Sequence, residues 1–308
     1  MRRAVPLLLL LALMALDLLT GHGFHWAGGA LLWKLRLPRM LTAVIAGAAM
    51  ALSGTQMQAL FRNPLADPHI MGVSGGAGLG ASLAALAISG TTWLGGVTLV
   101  GAAFVGAILS AMIVVAAASK VQSTGTLLLV GVMLGFVLSA ISSVLQYSAG
   151  EESLKLFYSW MAGTFAGVRM GPLAFMAGAL VLGTLLAALH VKSLDLLLFG
   201  DDFAAVSGLH LKTVRRRIML GCALMTGAVT AFCGPIGFVG IAAPHLVRRS
   251  LSTSAHRVVI PWSMVYGACL TLLGDILAHV GPIPLPVGST LAIVGIPVIL
   301  WLLWRERL

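Results

Sequence analysis

The stretch Arg36 to Gly80, RLPRMLTAVIAGAAMALSGTQMQALFRNPLADPHIMGVSGGAGLG, decides the reading of the chain. It opens with two arginines one helical turn apart, Arg36 and Arg39. An apolar run follows from Met40 to Phe61, with Ser53, Gln56 and Gln58 as its polar members. The run meets a turn punctuated by proline, Arg62-Asn63-Pro64-Leu65-Ala66-Asp67-Pro68, and restarts on the glycines of Gly72-Val-Ser-Gly-Gly-Ala-Gly-Leu-Gly80. A helix needs about 20 apolar residues to cross a bilayer. One that carries amides and breaks at Asn-Pro suits the wall of a passage better than a lipid anchor.

Working outward, the composition agrees. Hydrophobic residues make up 59% and charged residues 9% of the 308, against roughly 25% charged in a soluble domain. Spans are predicted at about Ala4–Thr20, Met40–Phe61, Ile70–Ser89, Trp93–Ala118, Thr126–Ser148, Leu173–His190, Ile218–Cys233, a short piece at Ile236–Ala243, Ile260–His279 and Leu285–Trp304. Each span must satisfy its backbone polar groups internally, so an all-α polytopic membrane protein is expected; the short alternating segments of a β-barrel are absent. Leu156–Phe165 is apolar but too short to cross and reads as a re-entrant or interfacial helix after a polar loop at Glu151, Glu152 and Lys155. The loop Gly21–Leu35 carries His22, His25, Trp26 and Trp33, the tryptophans fitting an interfacial belt. Met1-Arg2-Arg3 before Ala4–Leu16 resembles a signal peptide. Asp17 interrupts the run, however, and no small-x-small cleavage site follows, so a retained first span is expected. The whole of 1–308 reads as one transmembrane domain, with a polar cytoplasmic segment at about 192–217.

The net charge of +10 is not a nucleic-acid signature, because the basic residues sit in short loops, where they set topology. With both termini in the cytoplasm, 14 of the 19 Lys and Arg fall inside: Arg2, Arg3, Arg62, Lys120, Lys192, Lys212, Arg215, Arg216, Arg217, Arg248, Arg249, Arg257, Arg305 and Arg307. Lys34, Arg36, Arg39, Lys155 and Arg169 fall outside, and the cluster of three before the second span requires its own explanation. Glycines at 72, 76 and 80, at 131 and 135, and at 163, 167 and 171 are spaced for close helix approach, either at a dimer or moving pore wall or in ordinary packing.

The chemistry is sparse. Asp17 and Asp275 are the only acids inside apolar runs, both near predicted helix ends, which disfavours an ion-coupled secondary transporter. No carboxylate pair or nucleophile triad appears, which disfavours an intramembrane enzyme. No GxxxxGK[ST] loop is present, so the chain is not expected to hydrolyse ATP. Cys222, Cys233 and Cys269 lack metal-ligand spacing and read as buried small residues. His245 and His256 read as interfacial. Between Gly200 and Gly208 the pattern is that of a short helix, with Asp201 and Asp202 in its first turn and glycine as its stop. A solvated helix there could dock a cytoplasmic partner or simply connect two spans.

These residues, taken together and in order, resemble the FecCD-type permeases of ABC importers, which carry iron–siderophores, haem or vitamin B12. The matching pieces are Arg36-Leu-Pro-Arg39, Ser53-Gly54 with Gln58, Asn63-Pro-Leu-Ala66, Gly72-Val-Ser-Gly-Gly-Ala-Gly78, Trp160-Met-Ala-Gly163, Gly200-Asp-Asp-x-Ala204 with Gly208, Gly237-Phe-Val-Gly240, Ala243-Pro-His-Leu-Val-Arg-Arg249, His256-Arg257 and Pro284-Leu-Pro-Val-Gly288. The resemblance implies the type II importer permease architecture of about ten helices per subunit. It implies a homodimer, or a pair with a paralogous permease, in a bacterial cytoplasmic membrane. Two cytoplasmic ATPase subunits would hold ATP and Mg, with no cofactor bound by this chain, and an outer substrate-binding protein would deliver the cargo. By the same resemblance Arg36, Arg39 and His279 would dock the binding protein. Asn63 and Leu65 would form an inner gate, with Ser123 and Thr124 forming a second. Gly200, Asp201, Asp202, Ala204 and Gly208 would form the helix that engages the ATPase. A zinc or manganese importer permease has a related plan but matches less well.

Overall fold

The computed structural model describes residues 4–21, 29–87, 93–121 and 123–306. The expectations placed on Arg2, Arg3, His22, His25, Trp26 and Arg307 lie outside those residues. Among the described residues the regular structure is helical. α1 is Ala4–Leu19. α2, Gly29–Leu31, runs through a π turn at Leu32–Arg36 into α3, Leu37–Phe61. A 3-10 turn at Pro68–Met71 precedes α4, Val73–Ala87. Then come α5, Trp93–Ala118; α6, Thr124–Tyr147; α7, Glu151–Ala162; α8, Met170–Leu189; α9, Val191–Leu197; α10, Asp201–Val206; α11, Leu211–Cys233; α12, Val239–Leu251; α13, His256–His279; and α14, Val287–Glu306.

Six of these stretches are long and apolar enough to cross a membrane unaided: 29–61, and the helices α5, α6, α8, α11 and α13. The shorter apolar α1, α4 and α14 add three. α12, with 13 residues, a length of about 20 Å and two arginines in its last turn, is not one of these apolar helices, so the count is roughly consistent with the expected ten. The architecture is all-α and polytopic, as expected.

Burial sorts the helices into a centre and a periphery. In the most apolar window of each, 72% of the residues in 29–61 and in α11 are buried, and 61% in α13, against 17% in α6 and 28% in α8. α3 and α11 are therefore the most buried of the long apolar helices. Small residues bring its neighbours in at backbone distance. A methyl group on Gly47 would lie 2.3 Å from Gly267 O of α13, and one on Gly54 would lie 2.0 Å from Gly240 O of α12. α4 seats on α5 in the same way, with Gly76 against Gly106 O at 2.3 Å and Gly80 against Ala102 O at 2.1 Å. Gly131 meets Ile70 O at 2.2 Å. These glycine faces are spent on packing within the chain.

Several sequence boundaries move. Gly163, Gly167 and Gly171 do not share a helix face, since Gly163 ends α7 at φ 78° and Gly171 opens α8. The loop expected up to Leu35 is helical from Gly29. The loop expected at Glu151 is the acidic first turn of α7, where carboxylates favour the positive helix end. α11 begins at Leu211, so Lys212 and Arg215 to Arg217 ride on its first turns rather than in a loop. Pro244 was expected to end a short apolar piece. Instead α12 runs through it to Leu251.

Candidate functional site

The functional residues fall at the two ends of α3. At its C-terminal end, Arg62 closes the helix in the left-handed region, φ 46°. Asn63 follows and accepts the Leu65 backbone N–H on Oδ1 at 2.9 Å, which fixes the turn. Leu65 projects outward, 45% exposed. Asp67 caps the next turn by accepting from His69 N–H at 2.9 Å, and Gly72 closes it at φ 70°. Ser123 caps α6 by accepting from Thr126 N–H at 3.4 Å, with Thr124 buried behind it. Among the described residues no hydrogen bond joins the Asn63–Leu65 pair to the Ser123–Thr124 pair. Gln122, just before them, lies outside the described residues.

Gln58, His245 and Arg248, for which the sequence reading proposes no part in the Asn63 turn, surround it. Proline at 244 has no N–H for the carbonyl four residues back, Gly240 O. Gln58 Nε2 supplies the missing donor, 3.3 Å from Gly240 O and 3.4 Å from Ile241 O. Gln58 Oε1 in turn accepts from Arg248 Nη1 at 2.6 Å. His245 Nε2 lies 2.9 Å from Pro64 O, and because a carbonyl only accepts, that nitrogen carries the proton. The amide in an apolar helix at Gln58 was the one visible signal of this arrangement.

α9 and α10 lie at the same end. α10 starts at Gly200, whose φ of 109° suits glycine alone, and stops before Gly208 at φ 86°. Asp201 is held by Arg215 Nη2 at 2.6 Å, which ties α10 to α11. Ala204 is fully buried beneath the helix. Asp202 is exposed, and so are the apolar side chains of Phe199, Phe203 and Val206, the last at 90%. Arg62 Nη1 sits 3.2 Å from the place a methyl group on Gly200 would occupy. Asp195 of α9 accepts the His256 backbone N–H at 2.9 Å and pairs with its Nδ1 at 2.7 Å, so it caps α13. His256 is thus buried inside the chain, as is His245.

At the other end of α3, Arg39 is buried among acids from two distant helices. Its Nε lies 2.9 Å from Asp275 Oδ2, and its Nη2 lies 3.7 Å from Asp17 Oδ1. Nη2 also donates to Asp17 O at 3.0 Å and to Thr20 O at 2.8 Å. His279 Nδ1 is 3.3 Å from Asp275 Oδ1. Arg36 donates from Nη1 to Leu18 O at 2.9 Å. Arg36 and Arg39 are only 4% and 6% exposed. The unusual cluster of basic residues is therefore matched by buried carboxylates, with Lys34 alone of the three presented to the surface. Cys222, Cys233 and Cys269 are free and buried.

Comparison with known proteins agrees with this frame. The description of the FecCD transport family matches residues 6–305. The vitamin B12 import system permease protein BtuC of Klebsiella pneumoniae is 38% identical over 309 residues, covering 97% of this chain and 92% of that protein. The hemin transport system permease protein HmuU of Yersinia pestis is 36% identical, covering 89% and 85%. A solved structure described as an inward-facing conformation of a metal-chelate type ABC transporter superposes with a TM-score of 0.88 at 28% identity, over 97% of each chain. On these grounds the chain belongs to the FecCD transport family and is a multi-pass membrane permease.

Proposed function

We propose that the chain is the membrane-spanning subunit of an ATP-binding cassette importer that moves an iron chelate, as siderophore or haem, or vitamin B12. Two copies, or one copy with a paralogue, would enclose the path in a bacterial inner membrane, with both termini in the cytoplasm and residues 1–308 acting as one domain. ATP and Mg would be held by two partner ATPase subunits, and this chain would carry out no hydrolysis.

The observation that carries the reading is α10. It is tied from below by Asp201 to Arg215 and by buried Ala204, while Phe199, Phe203 and Val206 stand exposed. A short, braced helix with an apolar crest is suited to insertion into a groove on a partner. Closure of the ATPase pair would push α10, and the Asn63–Leu65 and Ser123–Thr124 turns would open and close the inner mouth. The buried acids Asp17 and Asp275 are taken up by Arg39 at helix ends, which suits bracing more than ion coupling and leaves the drive to hydrolysis by the partners.

At the opposite face the binding protein would dock over the ends of α1, α3 and α13. Arg36, Arg39 and His279 would serve that dock by fixing the three helix ends, with Lys34 as an exposed cation for acidic groups on the partner. Purification of the tagged chain from its own membranes tests the reading. Co-elution of an ATPase in a one-to-one ratio is expected. A chain that elutes alone and accumulates solute on an ion gradient would overturn it.

A further inference from the structure

We infer that His245 and the Arg248–Gln58 pair are positioning residues that bind the turn after α3, together with the end of α3 that carries Gln58, to α12, so that these segments move as one rigid body. The inference rests on the gate reading of the turn given above.

Two independent ties join the parts. His245 Nε2 donates to Pro64 O, the carbonyl between Asn63 and Leu65. One turn further along α12, Arg248 grips Gln58, which returns its amide to the carbonyls of Gly240 and Ile241 on α12. Gln58 thus has its oxygen and its nitrogen both engaged by the same helix. Close packing adds a third constraint. Gly240 meets Gly54 at backbone distance, and a methyl group on Gly240 would lie 2.7 Å from Pro68 Cδ, at the far end of the turn.

Two of the places where the backbone can give way lie at the ends of α12. Among the described residues, the non-glycine residues at positive φ are Arg62 at 46°, Phe238 at 70° and Ser252 at 49°. Phe238 and Ser252 stand immediately before and after α12, and Arg62 joins the turn to α3. Such conformations cost about 1–3 kcal/mol each and gather at switch regions. Phe238 and Ser252 therefore bracket α12, while Arg62 lies inside the tied unit, between Gln58 and Pro64, both of which α12 holds. Arg62 also rests over Gly200, the start of α10, so a push on α10 meets the edge of the unit directly.

The test is a pair of distances measured by pulsed electron resonance in the complete complex, diluted with unlabelled permease. The three native cysteines are buried and do not compete for the label. One pair of labels replaces Leu65, exposed on the turn, and Arg249, exposed on α12; the other replaces Leu65 and Ser123. Between the nucleotide-free and the ATP–vanadate states, the Leu65–Arg249 distance is expected to stay within its own width while the Leu65–Ser123 distance shifts beyond it. A shift in both overturns the rigid unit. If neither shifts, the gate reading fails, and the ties are judged on the resting permease. There His245→Leu is expected to broaden the Leu65–Arg249 distribution and His245→Gln, which keeps an N–H donor, to leave it narrow. An unchanged distribution in His245→Leu overturns the inference. Should that variant fail to assemble, Arg248→Met, which cuts the second tie, is read by the same criterion.

Discussion

Arg39 and Asp275 meet at 2.9 Å inside the protein, joining the first turn of α3 to the last turn of α13. Their side chains are 7% and 0% exposed. Removing one member of such a pair strands the other without water or partner, at a cost of about 3–5 kcal/mol. Arg39→Ala is therefore expected to lower the unfolding midpoint of the purified permease sharply. Replacing the three charges together, as Arg39→Met, Asp17→Leu and Asp275→Leu, is expected to cost less than Arg39→Ala. Equal stability of Arg39→Ala and the parent would show that the ion pairs do not brace the helix ends.

The same pair shows where the sequence stops being readable. The excess of basic residues before α3 is visible in the charge count. Its cause is not, because Asp17 and Asp275 reach Arg39 from helices 22 residues before it and more than 200 residues after it. α10 is legible from Gly200, the two aspartates and Gly208, since cap and stop signals are local. α12 is misread at Pro244 because proline ordinarily ends a helix. The carbonyl it leaves open is taken by Gln58, and that compensation exists only in three dimensions. The apolar helical nature of the spans is legible because lipid imposes length and apolarity on each one separately.

The exposed crest of α10 gives the second prediction. Phe203 is 51% and Val206 90% exposed. Truncating a buried aromatic anchor at an interface costs about 2 kcal/mol, roughly thirtyfold in affinity. Phe203→Ala and Val206→Asp are expected to release the ATPase subunits while leaving the unfolding of the permease itself unchanged. Retention of the ATPase at parent levels by both variants would remove α10 from the interface.

Glycine substitutions separate close packing from mere composition. A methyl group on Gly54 would fall 2.0 Å from Gly240 O, whereas one on Gly101 meets nothing within 4 Å. Overpacking of this kind costs about 1–3 kcal/mol or more. Gly54→Ala is expected to reduce the amount of folded permease recovered, and Gly101→Ala to leave it unchanged. Equal recovery of the two would mean that α3 and α12 are not in backbone contact.

The turn after α3 offers a chemical probe. Single cysteines replacing Asn63 in a dimer are expected to crosslink in one nucleotide state of the complex and not in another. Crosslinking indifferent to nucleotide would place the moving gate elsewhere.

The most direct measurement is uptake by sealed liposomes that contain the permease with its ATPase subunits, supplied with the cognate binding protein. Labelled cyanocobalamin, haemin and a ferric siderophore are offered in turn, with ATP inside. One of the three is expected to accumulate only when ATP and the binding protein are both present, and Phe203→Ala with Val206→Asp is expected to abolish the accumulation. Uptake that proceeds without ATP, driven by an ion gradient alone, would contradict it.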